Sequence, residues 1–214
     1  MDSPYKPHNP YNDLTQEEKD FLDASMKSNT AVIMAMLNDN ITLLDMKNTS
    51  GRTALMYASM CGDTNLVKYL ISQGAVVDET DDDGKTALMF AAAQGKMFAV
   101  ELLIKKGAVV TKKDNRGHTA IMEAATYGWN ATVGILLKNG AVADEADNFG
   151  VTPLMFAQRG NKLKVIKLLE RTLEEQKQQK LAEAQARFLE DTDFTRGLPK
   201  PMRAPRQIAP RPKN

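Results

Sequence analysis

Enzymes draw most often on histidine, cysteine or a poised carboxylate, and this chain is sparing with the first two. It has two histidines, His8 and His118, and one cysteine, Cys61, among 214 residues. A nucleophile needs a base within hydrogen-bond reach and a third group to orient that base. His8 lies between Pro7 and Pro10 in a polar stretch unsuited to fixed geometry. Cys61 and His118 fall in different segments, with no recognisable base–orienter set around either. A lone cysteine excludes an intramolecular disulfide and fits a reducing compartment. No Cys/His cluster has zinc spacing, and no glycine-rich loop is built to cradle phosphate. Carboxylates are plentiful, but they gather in turn-like stretches such as 78–83, where solvation is expected. Neither a catalytic set, a metal site nor a cofactor is expected, and the chain reads as a non-enzyme.

The residues that dominate the sequence are architectural. Gly51-Arg52-Thr53-Ala54-Leu55-Met56 recurs as Gly84-Lys85-Thr86-Ala87-Leu88-Met89 and Gly117-His118-Thr119-Ala120-Ile121-Met122. A fourth copy is Gly150-Val151-Thr152-Pro153-Leu154-Met155, and the step is a constant 33. Gly74-Ala75, Gly107-Ala108 and Gly140-Ala141 keep the same step. A fixed period of this size signals stacked supersecondary units, none of which can bury its apolar side alone. In each unit the Gly permits a tight turn, and the Thr after it is placed to cap a helix. Pro153 stands at a first helical position, where its missing N–H does no harm. The first copy predicts a helix from Ala54 to about Met60, ending near Gly62. A second helix is predicted from about Leu66 to Ser72, with Leu66, Val67, Leu70 and Ile71 on one stripe. Gly74 stops it, and the next few residues suffice for a hairpin-like turn.

This pattern resembles the ankyrin repeat family over roughly residues 15–173. The resemblance implies an all-α ankyrin-repeat solenoid, each unit a hairpin followed by two antiparallel helices. It also implies a Thr-Pro-Leu-His signature whose His ties the turn together by hydrogen bonds. Met56, Met89, Met122 and Met155 stand in that place here, so the turns should be less firmly tied. The methionines are read as core gap-fillers rather than a binding stripe. The register gives five repeats: a degenerate cap 15–47, then 48–80, 81–113, 114–146 and 147–173.

Both ends differ from the middle. Residues 1–14 are read as disordered. Order begins with Thr15-Gln16-Glu17-Glu18, a capping box ahead of Phe21 and Leu22. At the other end Leu173 stands where the step would place Gly. From Glu174 to Asp191 there is no Gly or Pro, so one helix should run from about Leu163 to Glu190. Residues 174–192 are read as a charged helical extension rather than a coiled-coil seam. Residues 193–214 form a basic Pro-rich tail, in which Pro201, Pro205 and Arg206 resemble a ligand of SH3-type domains. A solubilising role for the tail has the better support. No apolar run approaches the ~20 residues of a membrane span. Residues 1–30 lack the apolar core of a secretory signal. The cytoplasm is the expected address, with the nucleus the alternative.

The resemblance also implies a binding face. In ankyrin-like stacks the hairpin tips and inner helices form a concave surface, and contacts recur at equivalent positions. Carried over by register, these are Thr49, Ser50, Arg52, Met60 and Cys61 in the first full copy, then Asp82, Asp83, Lys85 and Gln94. Asn115, Arg116, His118, Thr126 and Tyr127 follow, and then Asn148, Phe149, Val151 and Arg159. The narrower set is Arg52, Asp82, Asp83, Lys85, Arg116, His118, Tyr127 and Phe149. Phe149, at a turn tip, either fills a partner's pocket or folds back on a neighbouring turn. Trp129 is expected to pack between repeats. Glu79, Lys112 and Glu145 fall side by side and should neutralise one another, which leaves 78–83 as a weaker candidate for a basic partner. A net charge of +1 predicts no overall attraction to nucleic acid or membrane. The reading is a monomeric, non-catalytic adaptor for a protein partner. Binding of nucleic acid, an anionic surface or an SH3-type domain through the tail is the alternative. An enzyme is kept open only by Cys61 on the face.

Overall fold

The computed structural model describes residues 14–191. Among them are ten α-helices, a short 3₁₀ turn, and no pairing of extended chain beyond a Thr80–Thr86 bridge. The helices are α1 (Gln16–Met26), α2 (Thr30–Asp39), α3 (Ala54–Cys61), α4 (Thr64–Ser72) and α5 (Ala87–Ala93). Then come α6 (Met97–Lys105), α7 (Ala120–Tyr127), α8 (Asn130–Lys138), α9 (Pro153–Arg159) and α10 (Leu163–Asp191). The expected N-terminal segment lies outside the described residues except for Leu14, and so do the tail residues Pro201, Pro205 and Arg206.

Local chemistry explains most boundaries. At α1, Thr15 Oγ1 accepts the Glu18 N–H at 3.3 Å and Glu18 Oε2 accepts the Thr15 N–H at 2.7 Å, closing the capping box. Thr53, Thr86 and Thr152 each accept the N–H of the methionine three residues on. Thr119 makes no such bond, and its buried Oγ1 has no partner. Helix α4 begins at Thr64, earlier than the apolar stripe suggested, because Asp63 caps it. Asp63 Oδ1 accepts the N–H groups of Asn65 (3.1 Å) and Leu66 (3.0 Å), while Oδ2 takes the Thr30 hydroxyl of the preceding unit.

Inner helices α1, α3, α5, α7 and α9 pack in succession, as do the outer helices α4, α6 and α8. Alanines let the inner helices approach closely: Ala54, Ala58, Ala91, Ala92, Ala124 and Ala125 are all buried. Between them sit Leu55 and Met56, Leu88 and Met89, Ile121 and Met122. Each such side chain contributes roughly 1.5–3 kcal/mol through its burial. The methionine stripe is therefore core in three copies. Met155 departs from the expectation at 45% exposed, because no further repeat among the described residues covers it.

Glycine is required at the hairpin tips for two reasons. Gly84 has φ +80°, and a Cβ there would lie 2.6 Å from Asn115 Oδ1 and 2.9 Å from the Asn115 amide nitrogen. Gly51 and Gly117 meet Asp82 and Asn148 in the same way, whereas Gly150, in the last repeat, meets nothing within 4 Å. Helix α10 runs on past Leu173, as the missing glycine there predicted. Leu173 itself packs against the core.

Candidate binding face on the hairpins and inner helices

The face rests on four equivalent side chains that the sequence reading passed over. Asp81 Oδ1 accepts the N–H groups of Asp83 (3.0 Å) and Lys85 (2.8 Å). Asp114 does the same for Arg116 (2.9 Å) and His118 (2.8 Å), and Asp147 for Phe149 and Val151 (both 2.8 Å). Asn48 serves the first copy, accepting from Ser50 (3.0 Å) and Arg52 (2.9 Å). These bonds satisfy two backbone donors per turn. They correct two expectations. The turns are firmly tied although the signature histidine is absent. And the turn carboxylates are not uniformly solvated: Asp81, Asp114 and Asp147 are 6–8% exposed. The signal was available, since an Asx residue precedes each of Gly51, Gly84, Gly117 and Gly150 by three positions.

Successive tips are also laced together. The N–H groups of Asp82, Asn115 and Asn148 donate to Ser50 O, Asp83 O and Arg116 O at 2.9–3.1 Å. The side-chain amides of Asn115 and Asn148 donate to Asp82 O (2.9 Å) and Asn115 O (3.1 Å).

The residue after each glycine acts as a strut to the next repeat. Arg52 Nε approaches Asp81 Oδ2 at 3.4 Å, and its guanidinium lies 4.8 Å from the centroid of Phe90. Lys85 Nζ bonds Glu123 Oε1 at 2.6 Å. His118 Nε2 lies 3.2 Å from Asp147 Oδ2, and its ring meets Phe156 edge-on at 5.1 Å. Val151, the fourth member, is 8% exposed and so unavailable as a surface contact. Arg52, Lys85 and His118 are part-buried and engaged within the fold.

Other register positions do face water. Asp82, Asp83 and Arg116 are exposed, as are Thr49, Ser50, Cys61, Gln94 and Arg159. Met60 and Thr126 are part-buried, and Thr126 Oγ1 donates to Met122 O at 2.8 Å. Tyr127 is 55% exposed, and Phe149 is 77% exposed and not folded onto a neighbour. The Phe149 ring therefore stands in solvent on a backbone held by Asp147.

A family model described as ankyrin repeats (3 copies) matches residues 21–114 and, again, 109–179. The chain belongs to the ankyrin repeat family. No curated protein matches it. Ankyrin repeats are in general protein–protein interaction modules. No helix among the described residues is long and apolar enough to cross a membrane.

Charge along these ankyrin hairpins is neutralised, though not by the neighbours the period suggested. Glu79 pairs with Lys47 (2.5 Å) and Glu145 with Lys113 (2.8 Å), while Lys112 Nζ donates to Asp78 O at 2.6 Å. The Lys47–Glu79 and Lys113–Glu145 pairs each span 32 positions, one short of the repeat step, whereas Lys112 reaches back 34 positions to Asp78. The Lys47 bond chiefly holds the Glu79 carboxyl below its ordinary range. Asp78 accepts the Val109 N–H at 3.1 Å, and Asp81 is buried in its turn. Of the acidic run 78–83, Asp82 and Asp83 are the exposed carboxylates. Trp129 packs between ankyrin repeats as expected. Its Nε1 donates to Ala93 O at 2.8 Å, and its ring covers Gly95, where a Cβ would come within 2.4 Å.

Proposed function

We propose that this chain is a non-catalytic adaptor, monomeric and cytoplasmic, that binds a protein partner across the hairpin tips and inner helices of repeats 81–173. The observation that carries the reading is Phe149: a large apolar ring 77% exposed on a turn whose backbone is already ordered. An exposed aromatic gains nothing from water, and a pre-ordered anchor loses little entropy on binding. Tyr127 and Arg116 add two further interface-enriched side chains in solvent, with Asp82 and Asp83 as polar rim. Arg52, Lys85 and His118 support the face from within rather than touching the partner.

The test is affinity capture with the intact chain, followed by titration of the recovered partner against single variants. Tyr127→Ala and Phe149→Ala should each weaken binding by roughly 1–2 kcal/mol and change folding stability by no more than about 0.5 kcal/mol. A partner that binds both variants as tightly as the parent chain would defeat the assignment of the face.

A further inference from the structure

Asp81 and Asp147 use one oxygen for their turn and the other for a basic side chain of the preceding repeat. Asp81 Oδ2 meets Arg52 Nε at 3.4 Å, and Asp147 Oδ2 meets His118 Nε2 at 3.2 Å. Asp114 breaks that pattern. The equivalent side chain is Lys85, and it goes instead to Glu123 at 2.6 Å. Asp114 Oδ2 is left buried without a hydrogen-bond partner, in a residue only 7% exposed. An unpartnered buried carboxylate oxygen is costly.

That oxygen is not isolated. Asp114, His118 and Glu123 offer ligand atoms that all lie within 4.8 Å of one another. Glu123 is itself buried, at 8% exposed. Charge in the cluster is lopsided: the carboxylates of Asp83, Asp114 and Glu123 act on Lys85, and that of Asp147 meets His118.

We propose that Asp114, His118 and Glu123 form a divalent-metal site suited to zinc, whose place Lys85 holds in the metal-free chain. Two carboxylates and an imidazole form a donor set that zinc accepts, with a water in the fourth position. The turn bonds of Asp114 use Oδ1, so Oδ2 is available without loosening the hairpin. The Asp147 carboxylate on His118 Nε2 is the kind of outer contact that orients a ligating ring. Lys85 ends a flexible side chain that is 28% exposed, so it withdraws to solvent as the ion enters.

The full chain, stripped of metal, is titrated with Co²⁺ as a spectroscopic probe and with Zn²⁺ as competitor. A visible absorption band saturating at one ion per chain, and removed by Zn²⁺, is expected. Lys85→Met should tighten binding by about tenfold, by removing the competing charge. Asp114→Asn and Glu123→Gln should each weaken it by about 10- to 100-fold or more. Asp114→Asn keeps the turn acceptor, as Asn48 does in the first copy, and unchanged helical circular dichroism checks each variant. His8→Ala, at the chain's other histidine, should leave the band intact. The proposal is overturned if neither the parent chain nor Lys85→Met shows a Co²⁺ band or a Zn²⁺-dependent rise in melting temperature. It is equally overturned if the band survives both Asp114→Asn and Glu123→Gln, or disappears with His8→Ala.

Discussion

Lys85 Nζ lies 2.6 Å from Glu123 Oε1, and the two residues belong to successive repeats. In the same register Arg52 sits over the ring of Phe90 and His118 against that of Phe156. The position after the hairpin glycine thus reaches the same site on the next inner helix, whether that site is acidic or aromatic. Removing Lys85 alone strands Glu123 as a buried charge. Lys85→Ala should destabilise the chain by about 1–3 kcal/mol, below the 3–5 of a fully buried pair because Lys85 is partly exposed. Glu123→Phe copies the neighbouring repeats and puts a ring beneath the ammonium. It should fall within about 1 kcal/mol of the parent. Urea unfolding in metal-free buffer measures both.

Two tip glycines make a controlled comparison. Gly84 and Gly150 have nearly the same φ, +80° and +76°, but only Gly84 has the next tip against it. Gly150→Ala should cost the left-handed backbone penalty, roughly 1–2 kcal/mol. Gly84→Ala should cost visibly more, since the contact at 2.9 Å is backbone and cannot swing aside. Equal midpoints for the two variants in thermal unfolding would show that close approach contributes nothing.

The turn acceptors can be tested at Asp81. Asp81→Ala deprives the N–H groups of Asp83 and Lys85 of their acceptor and should destabilise by about 1–3 kcal/mol. Asp81→Asn retains both bonds, as Asn48 does in the first copy, and should cost less than half as much. Hydrogen exchange at the Asp83 and Lys85 amides reports the same difference locally.

Acid should unfold the repeats through a few identifiable carboxyls. Glu79 is held below its ordinary range chiefly by the Lys47 bond. Burial acts the other way on Asp147, but the N–H groups of Val151 and Phe149, with His118, outweigh it and lower the value. Asp63 is likewise lowered, against burial, by the Leu66 N–H, the Thr30 hydroxyl and the Asn65 N–H. With folded values depressed, the unfolded chain takes up protons first. The stability these groups contribute is complete above their unfolded values of about 4 and is lost as pH falls through the lower folded ones. Lys85 has the opposite sign: burial opposes its charge, but Glu123, Asp114 and Asp83 raise the value. Its contribution is present below the unfolded lysine range near 10.4 and disappears as pH rises through the raised folded value. The urea midpoint should therefore be flat near neutrality and fall below about pH 4. Asp147→Asn keeps the turn acceptor without the titration, so its acid limb should be shallower.

What the residues determined by themselves was local or periodic. The step of 33, the Thr15–Glu18 capping box and the continuation of α10 past Leu173 depend on contacts a few residues away, or on repetition of one unit. Helix propensity, capping and turn geometry act over that range, so sequence position stands in for spatial position. Tertiary structure decided what each surface-looking side chain meets. Arg52, Lys85 and His118 share a register with exposed tip residues, yet they are drawn into the stack by partners 29 or 38 positions on. Asp81, Asp114 and Asp147 look like solvated turn acids until the neighbouring repeat covers them. Met155 repeats a core residue but is uncovered at the end of the stack. None of these outcomes is written in one repeat's composition. Burial of a side chain in a stacked fold is set by the surface of the adjacent unit, and the unit's own sequence does not contain that surface.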